Sequence, residues 1–157
     1  MEYDFIKVFD KSNSKILKQC NEIANSHHVK NGGVLQFENL ADESDYILCA
    51  IKGGKVIAFL CLKEYEIFPN SIYVELIATK KDCLRKGLAK ELLDYAVSFS
   101  KKKYEKIICN VKKVNSASNS LFKSKNFKEY DMSTKEYKFL EFEEEHIDQN
   151  NAYLLEL

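Results

Sequence analysis

The sequence predicts a single α/β domain, residues 1–157, built on a mixed and mostly antiparallel sheet. Three features lead there. Two apolar, strand-length runs, 46–51 and 55–62, flank Gly53-Gly54, a two-residue hairpin signal, and a third run, 72–79, follows the Pro69-Asn70 turn, so an antiparallel meander is expected. A helical pattern (Leu88, Leu92, Tyr95, Ala96 and Phe99 on one stripe) then separates the strand ending at Thr79 from one starting near Lys106. A strand–helix–strand order most simply gives a parallel pair through a right-handed crossover. Finally, 157 residues fit one domain, and halves of that length would bury too little surface.

The remaining elements follow in chain order. Residues 3–8 read as a first strand. Ser12 or Asn13 caps a helix whose apolar face is Ile16, Leu17, Cys20, Ile23 and Ala24. Residues 25–33 (NSHHVKNGG) read as a loop by composition, followed by a short helix over 34–40. After the meander and the helix from Leu88, whose end carries Lys101, Lys102 and Lys103 where positive charge suits the macrodipole, come a strand at 107–111 and a helix at 115–125. Two closing strands are expected at 137–142 and 152–157. The total is seven strands flanked by about four helices.

Charge and cysteine usage narrow the function. Twenty-four basic residues balance twenty-four acidic ones, which argues against nucleic acid or an anionic membrane as the main partner. The five cysteines are widely spaced with no CxxC pair, so no metal site is expected and buried thiols in a reducing compartment are. Glu2, Asp4 and Lys7 leave no secretory apolar core at the start, and the longest apolar run, 56–62, is far short of the ~20 residues of a membrane span. A soluble, cytoplasmic protein is expected.

The most informative stretch is Thr79-Lys-Lys-Asp-Cys-Leu-Arg-Lys-Gly-Leu-Ala-Lys90. A strand ends, a basic turn with one glycine follows, and an amphipathic helix begins. Such a helix start offers free backbone N–H groups and the positive end of the dipole to an anion. Gly87 permits close approach of the backbone, Ala89 keeps the next turn small, and Arg85 and Lys86 add charge. An ordinary strand–helix connection has the same composition.

This segment resembles the acetyl-CoA motif of the GNAT superfamily, [Q/R]-x-x-G-x-[G/A], at Leu84-Arg85-Lys86-Gly87-Leu88-Ala89. Leu84 departs from the pattern's first position, and Arg85 lies beside it. A second segment, Asn115-Ser-Ala-Ser118-Asn-Ser-Leu121-Phe122-Lys-Ser-Lys125-Asn126-Phe127, is similar to the family's N-x-x-[A/S]-x-x-L-[Y/F]-x-x-x-G-F, with Asn126, the next-best residue for a left-handed C-cap, in place of the glycine. The resemblance covers the strands from Tyr46 onward and the first third only in outline. It implies the acyl-CoA N-acyltransferase fold, with acetyl-CoA as co-substrate, no metal, and an amine acceptor; homodimers are frequent in such domains. It further implies that backbone groups of Ile77, Ala78 and Thr79 pair with the pantetheine arm and that the turn from Leu84 through Arg85, Lys86, Gly87, Leu88 and Ala89 to Lys90 holds the pyrophosphate. Asn115, Ser118, Phe122 and Lys125 belong to the second coenzyme-binding segment. Asn115 also suits a helix cap.

Acetyl transfer needs a neutral amine, hence a base, and donors to polarise the thioester carbonyl. Glu75 is the candidate base: a carboxylate within an apolar strand, on one face with Tyr73 and Ile77. The alternatives are a solvated glutamate or one paired with a lysine. Tyr73 is positioned to orient a water or the acceptor. Where family members often carry a tyrosine acid for the departing thiolate, this chain has Phe122, which cannot donate a proton. His27 and His28 fall in the loop that the resemblance sets beside the acceptor, and the 141–145 acidic run suits either a cationic acceptor or a solvated edge. The competing function is a GNAT-like module that binds acyl-CoA without turning it over.

Overall fold

The computed structural model describes residues 3–28, 44–65, 70–130 and 150–157. In chain order they form β1 (Phe5–Phe9), α1 (Ser14–His28), β2 (Tyr46–Lys52), β3 (Lys55–Tyr65), β4 (Ser71–Thr79), one 3-10 turn (Lys81–Cys83), α2 (Leu88–Ser100), β5 (Lys106–Lys112), α3 (Ser116–Ser124), β6 (Lys128–Tyr130) and β7 (Asn150–Glu156). The seven strands make one mixed sheet in the order β1-β2-β3-β4-β5-β7-β6. The β1/β2, β2/β3, β5/β7 and β6/β7 pairs are antiparallel, and β4/β5 is parallel, with Ser71–Val74 opposite Lys106–Cys109. The expected parallel crossover is therefore present.

The chain divides into two compact units, residues 1–63 with 75–96, and residues 64–74 with 97–157. In the first, α1 lays its apolar face on the meander. Ile16, Leu17, Cys20, Ile23 and Ala24 pack with Ile47, Cys49, Ile51, Phe59, Cys61 and Ala78 in one buried cluster. Asn13, rather than Ser12, caps this helix, accepting the Ile16 N–H at 3.2 Å. At the far end α1 continues through His28, so residues 25–28, expected in a loop, are helical. A tertiary contact overrides composition there, His27 reaching Thr79, and within the helix Ser26 bonds back to the Ile23 carbonyl. Both hairpin glycines have positive φ (Gly53 57°, Gly54 75°), the signature of the two-residue turn that Lys52 and Lys55 close.

The opening of α2 buries Leu88, Leu92, Leu93 and Ala96, while Tyr95 is 38% exposed. The buried arc is thus rotated toward Leu93 from the expected stripe, leaving Tyr95 at its edge.

The second unit is organised by Asn119, buried on α3. Its Oδ1 accepts from Tyr153 Oη at 2.6 Å and Asn151 Nδ2 at 3.0 Å, and its Nδ2 donates to the carbonyls of Lys112 at 3.0 Å and Asn115 at 2.8 Å. One side chain so ties α3 to β5 and β7. Beside it Phe122 meets Phe127 edge-on (5.1 Å between centroids) and stacks on Tyr153 (5.8 Å). Asn126 takes φ 66°, the left-handed cap that the sequence implied for it.

The closing strands differ from expectation. β7 is found where 152–157 was expected, but its other neighbour is the short β6 at Lys128–Tyr130; the strand expected at 137–142 and the helix at 34–40 lie outside the described residues. Three α-helices are described.

The Asn119 network gives a stability prediction. Asn119→Leu removes these four hydrogen bonds and takes the Asn119 acceptor from the buried Tyr153 hydroxyl, while the Lys112 and Asn115 carbonyls keep the N–H groups of Asn115 and Asn119, so unfolding in urea should show a loss of about 1–3 kcal/mol.

Candidate functional site

In the first unit, β4 ends at Thr79, and the peptide joining Thr79 to Lys80 is held on both sides. The Lys80 N–H donates to the Ile57 carbonyl on β3 at 2.8 Å, and the Thr79 carbonyl accepts from His27 Nε2 on α1 at 2.5 Å. A carbonyl oxygen has no proton to give, so Nε2 carries the hydrogen and is not free to act as a base.

From Lys80 the chain makes the 3-10 turn and then a segment of alternating hand. Leu84 has φ −65°, Arg85 62° and Gly87 78°, while Lys86 keeps negative φ. Leu84 is extended (ψ 154°), so the left-handed Arg85 follows a β-region residue, and the chain turns there into the start of α2, where a helix has free N–H groups to offer an anion. The left-handed geometry at Arg85 costs a non-glycine residue about 1–2 kcal/mol, a sign that the turn is held for a purpose other than stability. Gly87 sits at the mouth of α2, and a Cβ built on it meets no protein atom within 4 Å, so the space above it is open. Leu84, Arg85, Lys86, Gly87 and Lys90 are exposed, Ala89 is half-buried, and Leu88 is buried and anchors the helix. The exposure of Leu84 (46%) is that of a residue without a packing role.

Glu75 is half-buried and accepts a hydrogen bond from Ser44 Oγ at 2.8 Å. Ser44 is fully buried. Burial raises the neighbouring Cys61 thiol, as it does Cys109; the Cys20 thiol is raised by its hydrogen bond to Cys49 (Sγ to Sγ 3.8 Å) and by burial. These thiols are neutral core groups rather than nucleophiles. Sequence reasoning missed Ser44, which has no motif around it. Ile77 is half-buried, and Ala78 and Thr79 are buried.

The second unit holds the other candidates. Tyr73 Oη accepts from Asn110 Nδ2 at 3.4 Å, and Asn110 Oδ1 is buried with no partner among the described residues. Such an orphan acceptor is unusual in a folded protein. Nothing in the sequence around Asn110 marked it. Asn115 caps α3, its Oδ1 accepting the Ser118 N–H at 3.1 Å. Ser118 and Lys125 are half-buried, whereas Phe122 is only 3% exposed within the aromatic cluster.

A groove of about 660 Å³ also opens in the first unit, lined by Lys15, Gln19, Glu22, Ser26, Lys55 and Lys80 among others. None of the residues expected to bind coenzyme or catalyse lines it. Among the described residues no group of His, Cys, Asp and Glu side chains is arranged to hold a metal ion, and no helix is long and apolar enough to cross a membrane.

Comparison with solved structures gives similar folds over nearly the whole chain. An acetyltransferase of the GNAT family from Staphylococcus aureus Mu50 superposes with TM-score 0.77 at 14% identity, covering 98% of this chain and 99% of its own. An IAA acetyltransferase from Bacillus cereus ATCC 14579 gives 0.65 at 20% identity, covering 98% and 99%. A Bacillus subtilis acetyltransferase solved in complex with CoA gives 0.64 at 16% identity, covering 97% of each chain. At these identities the likeness is one of fold. A comparison with curated protein sequences gave no significant match. The sequence pattern described as Acetyltransferase (GNAT) family matches residues 12–127, from the residue before the cap of α1 through Phe127, and with it the alternating turn and α3 fall within one matched domain: the chain belongs to the GNAT acetyltransferase family.

Proposed function

We propose that the protein is an N-acetyltransferase that moves an acetyl group from acetyl-CoA to a primary amine, on a small molecule, a peptide N-terminus or a lysine, by direct attack in a ternary complex. The observation that carries this reading is the turn from Leu84 to Gly87, with its alternating φ, its strained Arg85 and the open space above Gly87 at the mouth of a 13-residue helix. The N–H groups of this turn and the first turn of α2 hold the pyrophosphate, Arg85, Lys86 and Lys90 supply charge, and the backbone of Ile77, Ala78 and Thr79 takes the pantetheine arm. The Thr79 carbonyl accepts from His27, and a carbonyl oxygen has two lone pairs. In the second unit, Asn115, Ser118, Phe122 and Lys125 are carried as a separate coenzyme-binding proposal, each open to substitution on its own.

An amine of pKa about 10.4 is neutral in about one molecule in 2,500 at pH 7, a cost of about 4.6 kcal/mol. Glu75 accepts the proton, directly or through a water, with Ser44 holding its other lone-pair direction. The freed nitrogen attacks the thioester carbonyl, a tetrahedral oxyanion forms, and its collapse breaks the C–S bond and releases coenzyme A. Tyr73 is assigned to orienting the water or the acceptor. A cytoplasmic location belongs to this reading, supported by five free cysteines, four of them buried, and a homodimer is compatible with it.

A second reading, an acyl-CoA-binding module without turnover, is favoured by Phe122, which is buried and has no proton for the departing thiolate. One sequence of measurements separates the two. Coenzyme A should raise the melting temperature under both, and thiol release from acetyl-CoA with a panel of primary amines should be seen only for the enzyme. No stabilisation by coenzyme A at millimolar concentration sinks both. Gly87→Ala should cost about 1 kcal/mol of stability through its positive φ and weaken coenzyme A by about tenfold or more, because the added methyl occupies the open space.

Glu75→Gln should lower kcat/KM by about 10²-fold near neutral pH, with the deficit shrinking as pH approaches the amine's own pKa, where no base is needed. A pH-independent deficit, or none, removes Glu75 from proton transfer.

A further inference from the structure

The Thr79–Lys80 peptide lies at the start of the proposed coenzyme turn, and only one of its two ties comes from the sheet. The Lys80 N–H is bound to β3 through the Ile57 carbonyl, a bond made by main-chain atoms alone. The Thr79 carbonyl is bound by a side chain, His27, from the last turn of a helix 52 residues earlier. A peptide group with one end fixed can still rock about the strand axis; with both fixed its plane is set. Everything that follows, the 3-10 turn and the alternating φ of Leu84 to Gly87, is launched from that plane.

We infer that His27 is a positioning residue for coenzyme binding: its Nε2–H fixes the Thr79–Lys80 peptide and thereby pre-orients the pyrophosphate turn. The inference rests on the proposed coenzyme-binding reading. It also accounts for α1 continuing through residues whose composition favours a loop, because the extra turn is what carries His27 to Thr79. The hydrogen bond needs a donor at the Nε2 position and nothing else from the ring. Glutamine places its amide nitrogen the same number of bonds from the backbone, asparagine one bond fewer, and leucine offers no donor.

The test compares wild type with His27→Leu, His27→Asn and His27→Gln, measuring coenzyme A affinity by calorimetry below the melting temperature of the least stable protein. Leucine and asparagine should weaken coenzyme A by about three- to tenfold, the worth of one net hydrogen bond, and glutamine should restore it. Wild-type affinity in His27→Leu overturns the inference, as does a loss that glutamine fails to rescue, which would indicate packing alone. A second readout does not depend on coenzyme. In the free protein, amide hydrogen exchange at Lys80 should be faster in His27→Leu than in wild type and in His27→Gln; unchanged exchange also overturns the clamp. If wild type binds no coenzyme A while the exchange pattern holds, the coenzyme reading fails and the clamp stands without that role.

Discussion

Where β4 gives out at Thr79, the chain must leave a sheet and enter α2 at Leu88 through a short turn. Strand ends fray unless something besides the ladder holds them, and a frayed end here would let the segment from Lys81 to Gly87 relax into an ordinary loop. Two bonds to a single peptide prevent this, one from β3 and one from α1. They set the starting direction from which the strained Arg85 is reached. Strain of about 1–2 kcal/mol persists only where surrounding structure over-determines the backbone, and in the first unit that surrounding structure is the buried cluster under α1 together with Leu88 at the head of α2.

The same arrangement explains why charge is secondary at this turn. Arg85, Lys86 and Lys90 are exposed, and charged groups in water contribute modestly and are screened by salt. Main-chain N–H groups fixed by geometry need no reorganisation when an anion arrives. In the proposed coenzyme reading, an exposed Leu84 at the position where the family pattern has a polar side chain removes little, since the donors assigned to the pyrophosphate are main-chain N–H groups.

Much of this was legible in the sequence, and the legible parts share a cause. Periodicity and turn chemistry are local, so the apolar face of α1, the glycine hairpin, the Asn115 cap and the left-handed Asn126 could all be read directly. The parallel β4/β5 pair followed from the order of elements. What escaped depends on distant partners. The last turn of α1 has the composition of a loop, and its distant partner is Thr79, which His27 reaches from 52 residues away. β6 is three residues long, too short for a period, and exists because β7 is its neighbour. Around the candidate site the strand β4 and the helices α2 and α3 were foreseen from periodicity and element order. Ser44 beside Glu75, the orphan oxygen of Asn110 and the clamp on Thr79 are single side chains brought in by tertiary structure, and no spacing announces such residues.

Phe122 shows how a motif departure acquires a physical meaning. Its ring is fully engaged by Phe127 and Tyr153 beside the Asn119 network, so in the second unit this position is committed to packing. A hydroxyl there would need a partner inside an apolar cluster, at a cost of about 1–3 kcal/mol if it found none. Against that, a thiol of pKa about 8.5 leaves as thiolate without severe penalty at neutral pH, whereas the amine faces about 4.6 kcal/mol to lose its proton. In the proposed transfer, proton removal from the nucleophile is thus the larger barrier, and under that reading a half-buried, hydrogen-bonded Glu75 is worth more than the acid that the core Phe122 replaces.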